Sequence, residues 1–313
     1  MTEAPPTDHS HRKRAREGLL AGLGAYLIWG FVAMYFDYLH RRGVSAEHIL
    51  AYRIAWSAFF LAILITVLRQ WEQVWACLRS RRSLLALIGS TTLISINWYT
   101  YIYAVATHQL SHASLGYYMN PLVNVLLGVA LLRERLRLLQ FLAIALAVAG
   151  VTCLTVAIGK PPWIALSLAI SFGLYGLLRK TMPAGAMAGL MVETAIVTPV
   201  CLAFLAWPGA HATGPRAGLD VHALLALSGI ITATPLLLFA LAARRLRLTT
   251  LGFLQFSSPT LQFLIAVWYF GEPFTKARQV TFAFIWAAVI VFLLDQLRAA
   301  RASARLEPIA VEA

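Results

Sequence analysis

Long apolar runs, each interrupted by a short polar stretch, divide the chain into ten segments at about 18–39, 48–69, 84–106, 112–132, 138–158, 161–179, 186–207, 222–243, 248–270 and 278–297. A helix needs about 20 predominantly apolar residues to cross a hydrocarbon layer, and each run has about that length. The runs lack the alternating in–out pattern of barrel strands, so the pattern predicts helices. The connecting stretches are short, and none can build a soluble domain. The expected fold is all-α and integral to a membrane, with ten transmembrane helices.

The pattern is written twice. In "GYYMNPLVNVLLGVALLRERL", from Gly116, Pro121 is followed by twelve residues and then Glu134. In "FSSPTLQFLIAVWYFGEPFT", from Phe256, Pro259 is followed by twelve residues and then Glu272. Upstream, "YAVATHQLSHASLG" (103–116) aligns without gaps on "FALAARRLRLTTLG" (239–252), and "YLIWGF" (26–31) has an echo in "FGLYGL" (172–177). The repeats are therefore residues 18–158 and 161–297, flanked by a basic tail at 1–17 and a second tail at 298–313. Five spans is an odd number, so the second copy enters the membrane from the opposite side. This predicts two inverted-topology five-helix repeats.

Charge gives the orientation. Of 26 Lys and Arg residues, nineteen fall on one predicted face and six on the other, with Arg53 inside a span. The positive-inside rule puts both termini in the cytoplasm. The aligned loops agree: "ATHQLSHA" has no Lys or Arg, whereas "AARRLRLT" has three. Composition supports lipid as the surroundings, with 60% hydrophobic residues, 12% charged and a mean hydropathy of +0.72. The net charge of +13 is clustered between apolar runs, which argues for membrane orientation and against a nucleic-acid partner. The first apolar run is too long for a signal-peptide core and is expected to remain as a span. Cys77, Cys153 and Cys201 form no disulfide framework or metal spacing. There is no Walker loop, paired acidic metal site or His/Cys cluster, so no cofactor or metal is expected.

Several residues inside the apolar layer are candidates for function. Pro121 bends or breaks its helix, and Pro235 and Pro259 are further kink or gate candidates. Asn120 and Asn124 share a helical face; their amides either contact a solute or hold a neighbouring helix. Arg53 and Glu193 are charges within the layer, where charge is costly and faces a cavity or a partner. Arg53 also lies close enough to a span end to snorkel. Glu134 and Glu272 end their spans, which favours interfacial pairing with a neighbouring Arg. Trp29, Trp98, Tyr118 and Tyr175 supply aromatic surface; Trp29 beside Gly30, and Trp98 beside Asn97, lie deep enough to line a cavity.

These blocks, together with "INW", "ASLGYYMNPLVNVLLG", "SFGLYGLLRK", "GLMVET", "PLLLFALAARRLRLTTLGFLQF" and "TFAFIW", resemble the RarD-type (chloramphenicol-sensitivity) branch of the EamA transporters, within the drug/metabolite transporter superfamily. The resemblance implies ten helices in a bacterial inner membrane and movement of a small metabolite or drug. It carries over Trp29, Arg53, Asn97, Trp98, Asn120, Pro121, Glu193, Gln255 and Pro259. The chain departs from the pattern at Ala33, Asp37, Tyr52 and His112, so charge pairs at those positions are not carried over. The expected protein is a secondary transporter working by alternating access, with a small-molecule substrate, a lipid surround and a central cavity lined from spans 1, 3, 4, 6, 8 and 9. Substrate identity and any coupling ion, a proton among the candidates, are not encoded in these motifs. The alternatives are a membrane-embedded lipid-modifying enzyme, which needs clustered catalytic groups, and a non-transporting receptor.

Overall fold

The computed structural model describes residues 8–132, 136–182, 185–207, 218–246 and 254–306. Glu134 lies outside them. The described residues form eleven helices and no strand. These are α1 (Asp8–Arg41), α2 (Ala46–Val67), α3 (Trp71–Arg79), α4 (Arg81–Ala106), α5 (Leu110–Leu132), α6 (Leu138–Ile158), α7 (Trp163–Thr181), α8 (Ala186–Ala206), α9 (Leu219–Arg245), α10 (Ser257–Trp268) and α11 (Lys276–Leu306).

Among the described residues, seven helices are long and apolar enough to cross a membrane: α1, α2, α5, α6, α8, α9 and α11. The other three predicted spans differ for identifiable reasons. α4 is long but carries Ser90, Thr91, Asn97 and Thr100, all buried. The apolar part of α7, Trp163–Arg179, is short. α10 begins at Ser257, and residues 248–253 of its predicted span are outside the described set.

The helix α3 is an addition to the sequence reading. α2 ends where Arg69 adopts φ 53° and the Gln70 amide donates back to the Ile65 carbonyl at 2.9 Å. This left-handed stop turns the chain directly into α3. Gly271 plays the same part after α10: at φ 64° it folds the chain back, so that the Glu272 amide donates to the Ala266 carbonyl at 2.9 Å. A residue with a Cβ is disfavoured in that conformation.

The chain forms two compact units, each drawn from two separate stretches: Met1–Glu72 with Gly185–Leu261, and Gln73–Ala184 with Gln262–Ala313. In the first unit, α1 packs along α9, α9 along α2, and α2 along α8. In the second, α6 packs along α11, and both α4 and α5 pack along α7. Small residues allow the closest approaches. A Cβ added at Gly229 would lie 2.5 Å from the Trp56 carbonyl carbon, and one at Gly116 would lie 2.7 Å from the Ala165 carbonyl oxygen. Both units leave large apolar side chains exposed while burying polar ones among their apolar core: Phe59 is 57% and Val156 77% exposed, whereas Ser90 is fully buried and Glu193 only 2% exposed. That distribution suits lipid and opposes water.

Candidate functional site

In the first unit, Arg53 projects from α2 and donates from Nε to Thr232 Oγ1 at 2.8 Å. Its guanidinium carbon lies 5.4 Å from the centre of the Phe36 ring, close enough for cation–π attraction. The Thr232 hydroxyl in turn donates to the Ser228 carbonyl at 2.8 Å. One turn beyond Arg53, the buried Ser57 hydroxyl has no hydrogen-bond partner among the described residues. Glu193 is buried on α8, which packs on the helix carrying Arg53. Pro235 lies inside α9, three residues after Thr232, and Pro259 lies in the first turn of α10. Trp29 is half-buried, with its ring centre 5.5 Å from that of Tyr26 and 5.9 Å from that of Phe239. Gln255 is half-buried just before α10. Asp37 is buried and pairs with Arg41 at 2.7 Å.

In the second unit, the Asn97 amide donates to the Leu168 carbonyl and the Ser171 hydroxyl, both at 3.0 Å, and its oxygen accepts from the Tyr117 hydroxyl at 3.4 Å. Asn97 thus ties α4 to α7. The neighbouring Trp98 is half-buried. Asn120 is buried and its amide oxygen has no partner among the described residues. Pro121 follows it inside α5, where its missing N–H leaves the carbonyl one turn back without its usual donor. The exposed Asn124 places its amide oxygen 3.5 Å from where a Cβ on Gly173 would sit. Tyr118 is buried edge-on to Phe282, with centres 6.3 Å apart, and the half-buried Tyr175 lies 6.0 Å from Phe172.

The richest polar cluster in the second unit surrounds Glu272. Its carboxylate accepts from the Leu110 amide at 2.5 Å and from the Ser111 amide and hydroxyl at 3.2 and 2.5 Å. It therefore caps the start of α5 with a negative charge, the sign favoured there. Arg278 lies 3.5 Å from the same carboxylate and 3.4 Å from His112 Nε2. The sequence pointed to an Arg partner for Glu272; it gave no sign of the Leu110 and Ser111 donors, which lie more than a hundred positions away. Burial pushes the Glu272 carboxyl above its ordinary range, against the opposing effects of Ser111, Arg278 and Leu110. A small pocket between Ser111, His112, Arg278 and Phe282 offers about 10 Å³, room for one water.

Fold and composition define a multi-pass helical membrane protein that buries several polar and charged side chains. The pattern of the EamA-like transporter family matches residues 16–156. Protein RarD of Salmonella typhi is 44% identical over 287 residues, covering 91% of this chain and 97% of that protein. A protein of Vibrio cholerae serotype O1 described as an uncharacterized transporter is 42% identical over 293 residues, covering 93% and 96%. A solved crystal structure, 21% identical, shares the fold with a TM-score of 0.55 over 90% of this chain and 98% of its own. The chain belongs to the EamA-like transporter family, among its RarD proteins. It is accordingly a membrane transporter, and its bacterial relatives place such a multi-pass protein in the inner membrane.

Proposed function

We propose that the protein is a secondary transporter that moves a small organic metabolite or drug by alternating access between two inverted five-helix repeats, with both termini in the cytoplasm. The repeats are residues 18–158 and 161–297, so that α1, α2, α4, α5 and α6 correspond to α7, α8, α9, α10 and α11. The observation that carries this reading is the recurrence of the Pro121–Glu134 segment at Pro259–Glu272, beside aligned loops of which one carries three arginines and the other none. Helix pairing supports it. Exchanging the repeats turns the α1–α9 pair into α7–α4, and both pairs pack. α2 and α8 exchange with each other and pack together, as do α6 and α11. The α5–α7 pair has its counterpart where Leu261 of α10 meets Gly30 of α1. An inverted pair of this kind makes two conformations of similar energy natural, one open to each side.

Arg53, Glu193 and Asn120 are the proposed solute contacts, because a buried charge or unpartnered amide within a membrane is costly unless it has a use. Trp29, Trp98, Tyr118, Asn124, Tyr175 and Gln255 are proposed to shape the pathway, with Pro121, Pro235 and Pro259 as its bending points. Asn97 is proposed to hold α4 and α7 in place beside it. The test is flux into proteoliposomes across a panel of amino acids and amphipathic drugs, with and without a proton gradient. Saturable movement of one class is expected; a folded, inserted protein that moves none overturns the reading.

A further inference from the structure

α3 divides lengthwise into three stripes. Val74 and Cys77 are buried against the protein. Trp75, 53% exposed, and Leu78, 37% exposed, lie on an adjacent stripe that is apolar and partly exposed. Gln73, Ala76 and Arg79 form a third stripe that is exposed and mostly polar. A helix in water needs two stripes, an inner and an outer. A third, apolar and outward-facing, belongs to a helix lying along a membrane surface, with protein on one side, acyl chains on another and water on the last.

Basic groups gather at the C-terminal end of this helix. Arg79, Arg81 and Arg82 are all exposed within four positions of sequence. Burial pushes the thiol of Cys77, on the buried stripe, up from its ordinary range, and the positive charge of Arg179 at the end of α7 opposes the rise. Leu178, next to Arg179, lies close to Gly89 near the start of α4, with 3.5 Å between its Cδ1 and a Cβ built there. Exposed tryptophan beside several guanidiniums matches the boundary layer, where indole rings favour the headgroup region and arginine pairs with phosphate.

We infer that α3 and the arginines that follow it form a binding surface for anionic phospholipid headgroups: Trp75 and Leu78 enter the acyl boundary while Arg79, Arg81 and Arg82 engage the phosphates. The surface depends on membrane insertion and is independent of what is transported. Its occupant is a lipid because the apolar stripe and the charges are contiguous, and a free anion satisfies only the charges.

The test uses the full-length protein in neutral detergent, titrated with dioleoylphosphatidylglycerol or dioleoylphosphatidylcholine and read by native mass spectrometry and thermal melting. One basic residue near an anionic surface contributes about fivefold in affinity, so three contribute roughly a hundredfold. Wild type is expected to prefer phosphatidylglycerol, and the preference to shrink with salt. The triple variant Arg79→Gln, Arg81→Gln, Arg82→Gln loses it, and the corresponding triple lysine variant keeps it. In nanodiscs, hydrogen exchange across residues 69–80 of the wild type slows when phosphatidylcholine is replaced by phosphatidylglycerol, a readout that needs no variant. Equal binding of the two lipids overturns the proposal, as does undiminished preference in the Gln variant or unchanged exchange at 69–80. Stabilisation by sodium phosphate equal to that by phosphatidylglycerol also overturns it, because the site is then an adventitious ion only.

Discussion

Arg53 Nε donates to Thr232 Oγ1 at 2.8 Å, joining α2 to α9 across 179 positions of sequence. Removing the acceptor leaves a buried guanidinium short of a partner. Thr232→Val is therefore expected to cost about 1–3 kcal/mol of stability, measured by thermal denaturation in detergent. Arg53→Ala is expected to insert normally yet abolish flux. Near-normal flux in that variant reduces Arg53 to a tie between α2 and α9, made through Thr232, with no part in transport.

Asn97→Leu removes two donors from the contact between α4 and α7 and leaves the Leu168 carbonyl and the Ser171 hydroxyl without them. The expected loss is about 1–3 kcal/mol, while flux per folded molecule stays close to wild type. A large fall in specific flux with an unchanged melting temperature contradicts that role and makes Asn97 a solute contact.

Gly116→Ala drives a methyl group to within 2.7 Å of the Ala165 carbonyl oxygen, so α5 must retreat from α7. We expect about 1–3 kcal/mol of destabilisation, as for other overpacked sites. Gly24→Ala meets only Leu238 at an ordinary 3.5 Å and serves as the tolerant control. Comparable melting temperatures for the two variants refute the close approach.

Glu272 sets a pH dependence of known sign. Its pKa is raised on folding, with burial as the main cause, so the folded state holds the proton more tightly than the unfolded chain does. The resulting stabilisation is fully present below the ordinary carboxylate pKa and is lost as pH rises through the raised value. Melting temperatures taken from acid to neutral pH should therefore carry a downward contribution that Glu272→Gln removes. Parallel wild-type and variant profiles count against it.

Helix positions were legible because an apolar run long enough to cross lipid leaves few other structures open to it. α3 was not, because nine residues that split their faces three ways look like a loop to any reading based on long apolar runs. Glu272 shows the same limit at one residue. Its Arg278 partner lies nearby in sequence, but Ser111 is 161 positions away, and only the folded chain brings it close. For Asn97, sequence placed it beside Trp98 deep in a span; its bonds to Leu168 and Ser171 depend on which helix lies alongside, which composition does not specify.

Because each unit is assembled from two distant stretches, synthesis and assembly run on different schedules. α6 leaves the ribosome well before its main partner α11, a wait of roughly ten seconds at about 5–20 residues per second. During that interval the flank of α6 meant for α11 faces lipid or an insertion chaperone. A stop codon placed before α11 deprives a helix made much earlier of its companion, so late truncations should send early segments to proteolysis.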